Sequence, residues 1–154
     1  MKKTLSFLAA LAVSATVGAQ NPIVSTSYTP DPAPYVHGDT VYAFTGHDED
    51  DATYFKMKDW QLFSTTDMVN WTYLGTPIST ATFPWAEQGD NAWASQAVER
   101  GGKWYWYVSI IEASTHSNTI AVATADDPQG PWRDAIGGPL ARGFGFIDPT
   151  VFVD

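Results

Sequence analysis

The sequence predicts an all-β fold built from repeated, propeller-like blades. Aromatic residues make up 14% of its 154 residues, and 12 Gly and 10 Pro suit a compact chain with many turns. Short strand-like runs bounded by Gly, Pro, Asp or Asn recur along the chain, and no segment after residue 20 keeps a helical period. A block of sequence also recurs at related positions, which is typical of radially repeated sheets.

The first nineteen residues have the pattern of a secretory signal peptide. Lys2 and Lys3 precede an apolar run over residues 5–17, and small residues then lead to Ala19. The run is shorter than the roughly 20 apolar residues of a membrane-spanning helix. We therefore expect cleavage after Ala19, a mature domain over residues 20–154, a secreted or periplasmic location and no membrane association after cleavage.

The repeated block contains the entry to a strand, a tight turn and a second strand. Residues 31–36 lead through a turn at residues 37–39 into the strand-like run 40–44. Residues 93–98 lead through a similar turn into the run 103–110, and residues 148–153 start a third copy. The pattern predicts two blades of about four strands each and the start of a third blade.

Each repeat closes in the same manner. The run 61–64 is followed by an Asp-containing turn and Trp71, and the run 119–123 by a similar turn and Trp132. We expect both tryptophans to pack back on their sheets. Residues 104–107 read Trp-Tyr-Trp-Tyr, so both faces of that strand carry aromatic rings. This favours stacked propeller blades over a sandwich, whose strands bury one face only.

Equivalent positions in the three copies of the repeat are occupied by Asp31, Trp93 and Asp148. Because the first strand of each propeller blade runs nearest the axis, these side chains are expected to converge on one pocket. Two carboxylates and an aromatic platform suit the cleavage of a glycosidic bond, in which one group activates water and another tunes or donates a proton. A proline follows each Asp and restricts the local backbone.

An acidic run, His47-Asp48-Glu49-Asp50-Asp51, follows the strand-like run that ends at Phe44. Its carboxylates could bind a hard cation, but they lack the alternating ligand spacing of a calcium loop. A solvated loop at the rim of the pocket is therefore the favoured interpretation. From this rim, His47 is predicted to reach the sugar.

Several motifs together resemble glycoside hydrolase family 43. In chain order they are Pro30-Asp31-Pro32-Ala33-Pro34, residues 64–71, Trp93-Ala94-Ser95-Gln96, residues 101–107, residues 126–132 and Ile147-Asp148-Pro149-Thr150. The resemblance covers nearly the whole mature chain. It implies a five-bladed β-propeller that hydrolyses β-xylosidic or α-L-arabinofuranosidic bonds in plant cell-wall polysaccharides with inversion.

Carried over by position, the resemblance implies a role for each residue of the predicted site. Asp31 resembles the general base that activates water, and Trp93 resembles the aromatic residue that lines the sugar subsite. Asp148 resembles the carboxylate that raises the pKa of the general acid and orients it. The family's general acid is a glutamate on a later blade, whereas this sequence ends six residues after Asp148. We therefore expect this chain to be the N-terminal portion of such an enzyme, with about two blades and the start of the third. We expect it to be inactive by itself.

The amino-acid composition argues against several kinds of binding partner and site. The chain has 8 Lys and Arg against 17 Asp and Glu, a net charge of −9, which argues against binding to nucleic acid. Because it has no cysteine, it has no disulfide framework, no thiolate metal site and no cysteine nucleophile. The expected partner is a xylo- or arabino-oligosaccharide. No cofactor is expected, and a structural calcium ion in the complete enzyme is the one alternative left open.

Two other functions remain compatible with the sequence. One is a carbohydrate-binding propeller without catalysis, because aromatic rings alone can hold sugars. The other is an inactive fragment. The presence of Asp at both positions 31 and 148 favours the enzyme over a pure binding protein, since binding does not need two converging carboxylates.

Overall fold

The computed structural model describes residues 22–152, which form two antiparallel β-sheets. The first sheet contains β1 (Ala33–His37), β2 (Thr40–Asp48), β3 (Met57–Thr65) and β4 (Thr72–Ser79), in that order. The second contains β5 (Ser95–Arg100), β6 (Lys103–Glu112), β7 (Ser117–Ala125), β8 (Arg133–Asp134) and β9 (Ala141–Arg142). Strands β8 and β9 pair with different parts of β7. The predicted all-β fold is confirmed.

The two sheets begin with equivalent hairpins, as the sequence repeat predicts. Gly38 and Asp39 join β1 to β2, and Gly101 and Gly102 join β5 to β6. The three glycines have φ angles of 58°, 65° and 79°, in the left-handed region that favours glycine. Because two-residue hairpin loops need such angles, glycine at these positions sets the register of each first strand pair.

The hydrophobic core lies between the two sheets and is rich in aromatic rings. Phe44 of β2 and Trp106 of β6 are fully buried, and their rings meet edge to face with centroids 4.7 Å apart. Trp104 of β6 contacts Tyr35 and Tyr42 of the first sheet, at centroid distances of 5.2 and 5.6 Å. Rings in this geometry contribute both buried area and a favourable quadrupole interaction. The aromatic contacts therefore hold the two sheets together.

We expect Phe44→Ala to lower the free energy of unfolding by about 3–5 kcal/mol, because it leaves a cavity between the sheets beside Trp106. Phe44→Leu keeps most of the volume and should cost no more than about 1.5 kcal/mol. Urea denaturation measures both values. Phe55→Ala is a matched control, since Phe55 is 77% exposed. Equal losses for Phe44→Ala and Phe55→Ala would contradict this account of the core.

The turns that close each repeat also correspond. The Asp67 carboxylate accepts hydrogen bonds from Asn70, through both its backbone N–H and its side chain, at 2.7 Å each. These bonds, with another from the backbone N–H of Val69, hold the pKa of Asp67 well below its usual range. In the second sheet, Asp127 accepts a bond of 2.8 Å from the backbone N–H of Gln129. Both are Asx-type turns.

The two tryptophans after these turns differ in their packing. Trp132 packs on the core as predicted, with its ring 5.3 Å from that of Trp106. Trp71 is half-buried, and its indole N–H has no hydrogen-bond partner within residues 22–152. On β6, Trp104 and Trp106 are buried, whereas Tyr105 and Tyr107 are only half-buried. One face of that strand is therefore fully covered and the other partly.

The predicted third copy of the repeat forms no strand over residues 148–152. Its backbone is instead bonded to side chains of the second sheet: the Val151 N–H donates to the side-chain oxygen of Gln96 at 2.5 Å. An extended segment becomes a strand only when a neighbouring backbone pairs with it, and no other described segment does so here. The predicted signal peptide, residues 1–19, lies outside the described residues. From residue 22 to 152 there is no helix of the length and apolarity that crossing a membrane requires.

Candidate active site

A single open pocket is lined by the three residues that occupy equivalent positions of the repeat. Asp31, Trp93 and Asp148 surround a cavity of about 490 Å³ together with Asp48 and Phe55. This volume lies in the range of small-ligand sites. Asp31 and Asp148 are exposed, so their carboxylates are open to the pocket, and Trp93 is half-buried against the core. Residues far apart in sequence thus meet where the repeat predicts.

Both exposed carboxylates lie on strained backbone. Asp31 has a φ of 50° and Asp148 a φ of 55°, which are uncommon for residues other than glycine. Each precedes a proline, whose ring further restricts the preceding residue. Such strain persists only where the surrounding structure imposes it, and it is concentrated at functional sites. The two aspartates thus share a left-handed φ angle.

Close backbone contacts position the segment that carries Asp31. Gly46 of β2 donates its N–H to the carbonyl of Pro30 at 3.0 Å. A Cβ at position 46 would overlap the Cε atom of Met57 and would lie 3.1 Å from the Pro30 ring, so a larger residue there would crowd both neighbours. The absence of a side chain at Gly46 therefore lets Asp31 sit beside β2.

Ser109 of β6 ties together the other two sides of the pocket. Its hydroxyl accepts a hydrogen bond from the Asp148 N–H at 2.8 Å, and its carbonyl accepts one from the Trp93 N–H at 3.0 Å. The carbonyl of Trp93 in turn accepts from the indole N–H of Trp60 at 2.6 Å. Sequence reasoning did not single out Ser109, although a serine inside the apolar run 104–111 was a usable signal.

A salt bridge anchors the segment that leads to Asp148. Arg142 of β9 donates to both carboxylate oxygens of Glu112 at 3.1 Å, and the Thr115 hydroxyl donates to the same group at 2.6 Å. The Thr115 bond is the main cause, with Arg142 next, of the lowered pKa of Glu112. The loop before Asp148 is thus fastened to the end of β6.

Asp48 is a third carboxylate in the pocket that the predicted site did not include. It ends β2, just after an irregularity in the β2–β3 register between Gly46 and Asp48. Such bulges redirect side chains next to active sites. The Oδ1 atom of Asp48 is buried and has no hydrogen-bond partner among the described residues. Its position in an acidic run was the only sequence signal.

His47 does not line the pocket that holds Asp31. Its Nδ1 lies 2.7 Å from a carboxylate oxygen of Asp59 on the neighbouring strand, and the ring lines a separate cleft with Gln61 and Tyr73. The predicted contact of His47 with the sugar therefore finds no support in its placement. Adjacent strand residues point to opposite faces, which explains why Asp48 and not His47 reaches the pocket.

The acidic run begins in β2 and continues into the loop that follows it, where its charges are partly paired. Glu49 accepts a hydrogen bond of 2.6 Å from Lys58, and this bond is the main cause of the lowered pKa of Glu49. Asp50 and Asp51 are exposed. Across residues 22–152, no three His, Asp or Glu side chains form a group that could hold a metal ion.

The pocket therefore combines an aromatic ring, Trp93, with the carboxylates of Asp31, Asp48 and Asp148, which is an arrangement that can take a sugar ring. One carboxylate can activate a water molecule, and another can influence the protonation of a nearby acid. Comparison with known protein families shows which family the chain belongs to. The model for glycosyl hydrolases family 43 matches residues 19–154. The chain belongs to glycosyl hydrolase family 43.

Curated relatives have similar sequences. A xylosidase/arabinosidase from Bacteroides ovatus is 31% identical over 141 residues, which cover 86% of this chain and 42% of the relative. Xylosidase/arabinosidase 43A from Humicola insolens is 29% identical over 146 residues, with the same shares covered. This chain thus spans about two fifths of the length of these relatives.

Solved structures of family 43 enzymes share the fold of the two sheets. The GH43_1 enzyme from Xanthomonas citri, complexed with xylotriose, superimposes with a TM-score of 0.70 at 31% identity, over 78% of this chain and 35% of that one. The α-L-arabinofuranosidase from Clostridium thermocellum superimposes with a TM-score of 0.60 at 34% identity, over 79% of this chain and 39% of that one. The resemblance to family 43 inferred from the sequence is confirmed.

Proposed function

We propose that this chain forms two blades of a five-bladed β-propeller glycosidase that cleaves xylosidic or arabinofuranosidic bonds of plant cell-wall polysaccharides with inversion. The single observation that carries the proposal is that Asp31, Trp93 and Asp148 line one pocket. Membership of family 43 supports a glycosidase. The names of the relatives, xylosidase/arabinosidase in Bacteroides ovatus and Humicola insolens, support the two classes of sugar.

Each residue of the pocket has a separate proposed role. Asp31 is the general base, because an exposed carboxylate can accept a proton from a water molecule that attacks the anomeric carbon. Trp93 is the platform for the sugar face. Asp148 raises the pKa of the general acid through its negative charge and helps to orient it. The acid itself is a glutamate on a later blade, outside these 154 residues. Inversion requires its carboxyl group to lie about 6.5–9.5 Å from that of Asp31, which leaves room for the attacking water.

Exposed aromatic side chains near the end of the described segment support the proposal of further blades. Phe144 and Phe152 are 104% and 85% exposed, which is unusual for rings of this size. Packing against a third blade would cover them. The proposed enzyme needs no cofactor for its chemistry and acts outside the cytoplasm, in line with the signal peptide pattern over residues 1–19.

The decisive experiment is product analysis by NMR on the complete protein with aryl β-xylosides and aryl α-L-arabinofuranosides. We expect hydrolysis with inverted anomeric configuration, because Asp31 activates water and forms no covalent bond to the sugar. Residues 20–154 alone are the negative control and should show no turnover, since they lack the proposed acid, which supplies roughly 10²- to 10⁴-fold.

Three results would contradict the proposal. Retained configuration would remove Asp31 from the role of general base. Turnover by residues 20–154 at a rate typical of enzymes would show that the acid lies within this chain. Sugar binding without hydrolysis by the complete protein would favour a carbohydrate-binding propeller instead.

A further inference from the structure

The pocket of Asp31 has walls that come from separate parts of the chain. Phe55 and Met57, around the start of β3, form one wall. Trp93, at the end of the segment that joins β4 to β5, forms another. The width of the pocket therefore depends on the contacts that join these two parts.

Asp90 joins the two walls. Its Oδ2 accepts a hydrogen bond of 3.0 Å from the Tyr54 hydroxyl, and its Oδ1 accepts one of 3.3 Å from the Met57 N–H. Two residues further on, the Ala92 N–H donates to the Met57 carbonyl at 3.0 Å. The segment that joins the sheets is thus bonded to the start of β3 and leads directly into Trp93.

The backbone beside Asp90 is constrained as well. Asn91 has a φ of 63°, in the left-handed region, and its N–H donates to Oδ1 of Asp90 at 2.7 Å. The Asn91 side chain donates to the Glu87 carboxylate at 3.1 Å. A strained residue of this kind persists only where the surrounding contacts impose its conformation. Asp90 is therefore held in place by its own segment as well as by the start of β3.

Phe55 depends on these contacts more than a core residue would. It is 77% exposed, so packing does little to hold its ring, and the preceding Tyr54 is 60% exposed. The hydroxyl of Tyr54 is bonded to Asp90, and a hydrogen bond to a carboxylate is stronger than one between neutral groups. The Tyr54–Asp90 bond therefore restrains where Phe55 lies relative to Trp93.

We propose that Asp90 is a positioning residue, which sets the width of the candidate active site between Phe55 and Trp93. This inference rests on the proposed function and extends it, because in the proposed enzyme the sugar ring lies between these two walls. Asp90 does not itself line the pocket. It should therefore affect the affinity for the substrate more than the rate of bond cleavage.

Steady-state kinetics of the complete protein with aryl β-xylosides and aryl α-L-arabinofuranosides test this role. We expect Asp90→Ala to raise KM roughly tenfold, the equivalent of about 1.4 kcal/mol, and to change kcat much less. Tyr54→Phe removes one of the two bonds and should raise KM about threefold. Asp90→Asn should also have a smaller effect than Asp90→Ala, because its amide oxygen can still accept a hydrogen bond.

The Phe55→Ala background shows whether Asp90 acts through Phe55. In that background, Asp90→Ala should raise KM by much less than in the wild-type protein, because the ring that it positions is gone. Equal increases in both backgrounds would overturn the inference. Tyr73→Phe is the matched control, since it removes the hydroxyl of a tyrosine that is 54% exposed and lies outside the pocket. It should keep the wild-type KM.

Hydrogen–deuterium exchange separates failure of this inference from failure of the proposed function. Asp90→Ala should speed exchange of the amides of residues 54–57, whether or not the protein hydrolyses sugars. Unchanged exchange, or faster exchange with an unchanged KM, would overturn the positioning role and leave the glycosidase standing. A complete protein that cleaves none of these substrates would refute the proposed function, and the positioning role with it.

Discussion

Asp31→Asn is expected to abolish hydrolysis in an enzyme that carries this chain, with a loss in kcat of at least about 10²- to 10⁴-fold. The amide has the size of the carboxylate but cannot take a proton from water at neutral pH. Asp31 is exposed to the pocket, so no other described group needs to move when it is replaced. The affinity for the sugar should change little, because Trp93 remains in the pocket.

Steady-state kinetics together with calorimetry on the same variant check this result. Asp39→Asn is a suitable control, since Asp39 is exposed in the turn between β1 and β2 and does not line the pocket. It should keep the full rate. If Asp31→Asn retained most of its kcat, the general base would have to be another carboxylate, and Asp48 would be the first to examine because it lines the same pocket.

Asp148→Asn is expected to move the alkaline limb of the pH–rate profile to lower pH and to reduce kcat at neutral pH. A nearby negative charge disfavours ionisation of a carboxylic acid, so Asp148 raises the pKa of the proposed acid. When that charge is removed, the acid loses its proton at lower pH and is less often protonated at neutrality. Rates measured across the pH range report the shift directly.

The Ser109→Ala variant distinguishes the effect of the charge of Asp148 from the effect of its position. The variant keeps the carboxylate but loses the hydroxyl that accepts from the Asp148 N–H at 2.8 Å. We expect a lower kcat with a much smaller shift of the alkaline limb than in Asp148→Asn. An unchanged limb in Asp148→Asn would show that Asp148 does not act on the acid.

Much of the fold was predictable because the signals that encode it are local. Glycines mark the hairpin turns, Asp-containing turns close each repeat, and strand-like runs alternate between them. The third copy was the exception. Residues 148–152 have the sequence of a strand entry but form no strand, since a strand depends on a partner backbone as well as on its own residues.

The sequence by itself placed Asp31, Trp93 and Asp148 at equivalent positions of a repeat, and a structural repeat brings the first two to the same end of neighbouring sheets. Asp148 precedes no strand among the described residues and is held at the pocket by Ser109 instead. Only the tertiary structure decided which of His47 and Asp48 faces that pocket. A bulge in the pairing of β2 with β3 sets this orientation, and a shift of one residue turns every side chain to the other face. The partners that hold the site, such as Ser109, likewise depend on contacts between segments about 40 residues apart, which no local pattern encodes.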